Sequence, residues 1–118
     1  MRVLLATDRP SLGAALSVFL SERQVEVVGI VAQADNLLAR ADAAHADVVV
    51  VDQHLGDAAV EQTVADARAG PRPTSVIILG ASQDATSTNV FGADGFAVLG
   101  DPPDALLTLL KAVSPAGI

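Results

Sequence analysis

Asp47-Val48-Val49-Val50-Val51-Asp52 is the stretch on which the fold turns. Four successive β-branched residues show no alternation of apolar and polar positions. A strand built from them has both faces covered, which is the condition of a strand inside a parallel sheet. The run stops at an acid, Asp52, and an earlier run, Val3-Leu4-Leu5-Ala6, is followed shortly by another, Asp8. Open α/β sheets bind ligands at the carboxyl ends of their strands, so the two acids predict a small acidic pocket there.

Working outward from this strand, β-branched and apolar runs recur at Val3 to Ala6, Val25 to Ala32, Asp47 to Val51, Ser75 to Leu79 and Gly95 to Leu99. Segments of helical period lie between them. Leu12, Leu16, Phe19 and Leu20 recur at i, i+4, i+7 and i+8, along one helix face. Pro10 stands near the start of that helix, where its missing N–H costs nothing. A second helix carries Leu37, Leu38 and Ala41, and a third carries Val60, Val64 and Ala67 before Gly70-Pro71-Arg72-Pro73 stops it. The last helix starts at Asp101-Pro102-Pro103-Asp104, with Leu106, Leu109, Leu110 and Val113 as its core face. Ser82 to Phe91 should hold a fourth helix, but its Ser, Thr and Asn residues are poor helix formers without an apolar stripe, so a short, distorted helix or a loop is expected. Strand and helix alternating five times predict one doubly wound parallel sheet with right-handed crossovers, occupying residues 1–118 apart from a short tail at Ser114 to Ile118.

Composition narrows the function. The chain has 118 residues, 51% of them hydrophobic and 18% charged, which suits one domain with a real core rather than a disordered segment. A net charge of −7 offers no electrostatic footprint for nucleic acid or an anionic membrane. Without cysteine there is neither a disulfide framework nor a thiolate zinc site. The start has no signal-peptide layout, and no apolar stretch approaches the ~18 residues of a membrane helix, so a cytoplasmic protein is expected. No Gly-rich phosphate loop, Walker lysine or nucleophile–base pair is present, which argues against a small nucleotide binder or enzyme.

The strings Leu4-Leu5-Ala6-Thr7-Asp8-Arg9-Pro10, Asp47-Val48-Val49-Val50-Val51-Asp52 and Gly92-Ala93-Asp94-Gly95-Phe96 resemble the receiver domain of two-component response regulators, in the branch whose receivers precede a helix-turn-helix output domain. The resemblance covers essentially the whole chain. It implies a flavodoxin-like sheet of order 2-1-3-4-5. It also implies that Asp52 matches the aspartate that accepts a phosphoryl group from a histidine kinase, that Asp8 matches one of two adjacent acids holding Mg²⁺ with Asp52, and that Phe96 matches an aromatic switch residue. The expected partners are a histidine kinase, another regulator or a second protomer, with DNA reached only through an output domain outside this chain.

The resemblance also marks departures. The family's acidic pair is here Thr7-Asp8; Gly80 stands where a Ser or Thr ends the fourth strand; Leu99 stands where a lysine ends the fifth; and Gly80 to Gly92 is about one helical turn shorter than the family's fourth helix. Phosphoryl transfer depends on positioning and on neutralising charge, and the group itself adds about −1.5 to −2. A hydrogen bond to a charged group is worth roughly 1.5–3 kcal/mol, so losing the lysine and the hydroxyl costs roughly 3–6. One carboxylate fewer predicts a weak or absent Mg²⁺ site and no required cofactor. The expected function is therefore an atypical receiver, a regulatory protein-interaction domain and not an enzyme, that works without the usual phosphorylation cycle. The alternatives are a low-efficiency Asp52 phosphoreceiver and a small flavodoxin-like ligand binder.

Blander roles are open for the same residues. Asp52 could cap the loop after its strand, Asp8 could cap the first helix, and Phe96 could be plain core. His54 reads as an exposed loop histidine, His45 as the end of the second helix, and Asp57 as a turn or N-cap residue after Gly56. Leu107 lies off the stripe of the last helix, where a single exposed leucine is ordinary.

Overall fold

The structure is a computed structural model that describes residues 1–33, 36–70, 74–80, 93–98 and 103–113. Strands β1 (Arg2–Ala6), β2 (Glu26–Val31), β3 (Val48–Asp52), β4 (Ser75–Gly80) and β5 (Gly95–Val98) form one sheet in the order β2-β1-β3-β4-β5, every neighbouring pair parallel. The described helices are α1 (Pro10–Glu22), α2 (Leu37–Ala43), α3 (Asp57–Ala69) and α4 (Pro103–Val113). This is the flavodoxin-like order expected from the sequence. Leu99, the segment expected to carry a distorted helix from Ser82 to Phe91, and the tail from Ser114 lie outside the described residues.

The valine run shows why the sheet is covered on both sides. Successive side chains of a strand point to opposite faces. Val49 and Val51 join Leu4, Ala6, Val76 and Ile78 beneath Leu37 and Ala41 of α2 and Val60, Val64 and Ala67 of α3. Val48 and Val50 join Val3, Leu5, Ile77 and Leu79 against Leu20 of α1 and Leu106 and Leu110 of α4. Every residue of β3 is buried, Asp52 included. Leu107, expected off the stripe, is partly buried against the second of these layers.

Element ends differ slightly from expectation, for local reasons. Val25 falls outside β2 because its N–H returns to the Leu20 carbonyl (3.0 Å) to close the end of α1. Asp52 belongs to β3 because its backbone pairs in register with Leu79. His45 follows α2 in the left-handed region (φ 57°), and Ala46 N–H bonds back to Ala41. The position before α3 is held by Gly56 at φ 111°, which a side chain would strain, so Asp57 is the first helical residue rather than the cap.

The amino-terminal end of the sheet is stapled by two acids. Asp47 accepts from Arg2 N–H (3.0 Å), and Asp94 accepts from Val76 N–H (2.8 Å) while Arg68 approaches its other oxygen (3.3 Å). The ends of β1, β3 and β4 that carry Thr7, Asp52 and Gly80 lie opposite. Among the described residues no helix is long and apolar enough to cross a membrane.

Candidate functional site

Parallel strands bring residues far apart in sequence to one edge. Ala6 pairs with Val51, and Asp52 pairs with Leu79, so the segment after β1, the end of β3 and Gly80 at the end of β4 share the carboxyl edge of the sheet. Asp52 lies at its centre with no exposed surface. An isolated carboxylate there would cost several kcal/mol, so its partners matter.

Its partners come from both sides. Thr7, itself buried, donates its hydroxyl to Asp52 Oδ2 (2.7 Å). His54 N–H donates to Oδ1 (2.9 Å), which makes Asp52 the cap of the short 3-10 turn Gln53–Leu55. The third partner is Arg9: Nη2 donates to Oδ1 (3.1 Å), and Nε lies 3.0 Å from Oδ2. That Nε makes an ion-pair contact without aligning its N–H along it, so the guanidinium engages the carboxylate through one directed hydrogen bond and one Coulombic contact. A carboxylate has two oxygens and about four lone-pair sites. Here each oxygen has two protein partners.

Thr7 does a second job. Its oxygen accepts from Arg9 N–H (3.1 Å), which ties the chain just ahead of α1 and directs the Arg9 stem toward Asp52. A carboxylate at position 7 would face Asp52 as a like charge and would need a cation between them. The threonine hydroxyl turns that repulsion into a hydrogen bond.

Asp8 is not among the partners of Asp52. Its Oδ1 lies 2.8 Å from His54 Nδ1, on the exposed rim. The hydrogen bond from His54 holds the Asp8 carboxyl below its ordinary range; desolvation opposes it, and the charges of His54 and Arg9 assist. Asp8 does not cap α1, whose cap position is Arg9 without a side-chain cap bond. His54 is exposed as expected, yet it is paired rather than solitary.

Gly80 is filled from outside. A Cβ built there would collide with Gln53 Oε1 and stand 2.7 Å from Phe96 Cζ. The side chains of Gln53 and Phe96 therefore occupy the place that the Cβ of a Ser or Thr at position 80 would need. Phe96 itself is partly buried and packs on the α2–α3 side of the sheet.

The residues thus brought together are Thr7, Arg9, Asp52 and the backbone of His54, with the Asp8–His54 pair on the rim and Gln53, Gly80 and Phe96 packed together at the edge of β4. Arg9 and Gln53 were not singled out from the sequence. A signal for Arg9 was present, because a cation with a long stem stands immediately after Asp8 in an acidic chain. Nothing local marks Gln53.

Mg²⁺, the metal that the receiver resemblance implies, does not fit this donor set. Both Asp52 oxygens face the Arg9 guanidinium, and Asp8 is turned to His54. Among the described residues no group of three or more His, Cys, Asp or Glu side chains is disposed to hold a metal ion.

No family model matches the chain, and no curated protein matches it. Solved structures do. The receiver domain of Francisella response regulator 1452 superposes with a TM-score of 0.81 at 18% identity, covering 99% of this chain and 98% of its own. Chemotaxis response regulator CheY4 of Vibrio cholerae gives 0.78 at 24% identity, with 95% and 97% covered. Response regulator TrrA from Thermotoga maritima, solved in complex with Mg²⁺-BeF, gives 0.80 at 19% identity, with 95% and 97% covered. Likeness at these identities is likeness of fold, and it extends along nearly the whole chain: this protein has the fold of response-regulator receiver domains.

Proposed function

We propose that the chain is an atypical receiver domain of two-component signalling, a cytoplasmic regulatory module that binds another protein without depending on phosphorylation of Asp52. The observation that carries this reading is the enclosure of Asp52. Attack on phosphorus needs a carboxylate oxygen that the donor can reach, and both oxygens of the fully buried Asp52 are covered and engaged by Thr7, Arg9 and His54 N–H. Breaking one or two charge-assisted bonds to free an oxygen costs about 1.5–3 kcal/mol each, which slows transfer by one to several powers of ten.

The packing around Gly80 supports the same reading. A switch that follows a phosphoryl group needs a donor at the end of β4 and a ring with somewhere to go. Position 80 has no hydroxyl, and the Phe96 ring already fills the space beside it. Binding of a histidine kinase or another regulator, or of a second protomer, is then a matter of the surface that this one state presents. Control of transcription would run through an output domain outside this chain, and no catalytic role of the chain itself is proposed.

Two observations keep a second reading in play, a low-efficiency phosphoreceiver. The acceptor-equivalent Asp52 is retained at the end of β3, and one structural neighbour of the same fold was solved with Mg²⁺-BeF. Incubating the protein with Mg²⁺ and a small phosphodonor, and weighing it intact, separates the two. The atypical reading expects the unmodified mass. A stoichiometric phosphoryl adduct that disappears in Asp52→Asn would establish the phosphoreceiver instead. A ligand-binding role, the third alternative, would show as a small molecule carried through native mass measurement.

A further inference from the structure

We propose that Arg9 is a built-in counter-ion: its guanidinium holds, on the Asp52 carboxylate, the place that a divalent cation would need. The proposal takes from the functional reading only that Asp52 is the acceptor-equivalent position.

Three features point the same way. The guanidinium meets both carboxylate oxygens, at 3.1 Å through Nη2 and 3.0 Å through Nε, as a bridging cation would. The Arg9 side chain is 41% exposed and that of Asp52 is 0% exposed, so the cation lies on the solvent side of a fully buried acid. Thr7 presents no second charge at the site. Its hydroxyl satisfies Asp52 on one side and the Arg9 N–H on the other, so a single positive charge balances a single negative one. An aspartate in place of Thr7 would leave the site net negative, with the second carboxylate that favours a divalent cation.

This is more than an ion pair on a surface loop, because it excludes a competitor. Removing the guanidinium uncovers two oxygens of Asp52 beside the Asp8–His54 rim, and an oxygen-seeking cation such as Mg²⁺ or Mn²⁺ gains a place. A ligand that binds only the folded state stabilises it by RT ln(1 + [L]/Kd), so the exchange is visible as a raised melting temperature.

The test uses the full chain as wild type, Arg9→Ala and Arg9→Ala/Asp52→Asn. Each is melted in chelator and in millimolar Mg²⁺, and its amide NMR signals are followed during Mn²⁺ titration. The wild type should melt at the same temperature in both buffers, with no selective broadening at Thr7, Asp8 or Asp52. Arg9→Ala should melt several degrees lower in chelator, recover part of that loss in Mg²⁺, and show Mn²⁺ broadening at those three residues. The double variant should lose both responses, which separates the site from adventitious binding at His54. If Arg9→Ala does not fold in chelator, Arg9→Gln keeps the stem and an amide donor without the charge, and the same responses are expected of it. The proposal is overturned if the wild type binds Mn²⁺ as the variant does, or if folded Arg9→Ala or Arg9→Gln binds none. Phosphorylation of the wild type by a phosphodonor would sink the functional reading and leave this result standing.

Discussion

The two ends of the sheet use the same residue type for opposite purposes. At the amino-terminal end, Asp47 and Asp94 accept backbone N–H groups of Arg2 and Val76 and so hold strand to strand. At the carboxyl end, Asp52 accepts one backbone N–H, from His54, and is otherwise balanced by the side chains of Thr7 and Arg9. A backbone donor is present whatever residue supplies it, so the first kind of contact persists through most substitutions. A side-chain donor can be exchanged, so the second kind is where chemistry is gained or lost. An acid at a strand end is therefore no guide to function until its partners are known.

The sharpest way to break this contrast is at Gly80. Read from the sequence alone, threonine there would restore a missing hydroxyl. With Gln53 and Phe96 packed across the position, Gly80→Thr should instead destabilise the fold by about 1–3 kcal/mol in urea unfolding, as overpacking does. Intact mass should show no gain in phosphorylation. Adding Gln53→Ala should recover part of the stability, because it removes one of the two groups that a Cβ at position 80 meets. A stable Gly80→Thr with raised phosphorylation would mean that the carboxyl end adapts as freely as an open site.

The amino-terminal end gives a smaller effect of a different kind. Asp94→Ala leaves the Val76 N–H without its side-chain acceptor and should cost about 1 kcal/mol. It should leave the response to Mg²⁺ in the Arg9→Ala background unchanged, since Asp94 is held by Val76 and Arg68 while Asp52 is held by Thr7, Arg9 and His54. A change in that response would show that they are coupled.

The smallest effect is expected at the rim. The Asp8 carboxyl lies below its ordinary range in the folded protein, so the stability it contributes is present above the unfolded-state value of about 3.9 and is lost as pH falls through the lowered folded value. Asp8→Asn should therefore flatten the acid limb of stability against pH below about 4 and alter little at neutral pH, where the pair is exposed to solvent. Acid titration of both proteins by circular dichroism checks the sign.

Much of the architecture was legible in the sequence. β-branched runs at regular intervals, with helical stripes between them, are local patterns, and local patterns survive being read one residue at a time. The unalternating Val48 to Val51 required two apolar faces, and the α1–α4 layer and the α2–α3 layer supply them. The position of Asp52 at a strand end followed from the same run. That Thr7, rather than Asp8, would be its neighbour did not follow, because which of two adjacent residues turns inward depends on the path between β1 and α1.

What the sequence by itself determined was the element order, the buried central strand and the end of the sheet at which the acids stand. These depend on the period of hydrophobicity and on the turn-forming residues, and both are properties of short segments. What only the tertiary structure decided was the state of the site: Arg9 on Asp52 across 43 residues, Asp8 turned to His54 across 46, and Gln53 and Phe96 filling the space beside Gly80. A long flexible side chain chooses its partner among all the groups that the fold brings within reach. That choice is made by burial and charge in three dimensions, and no spacing along the chain records it.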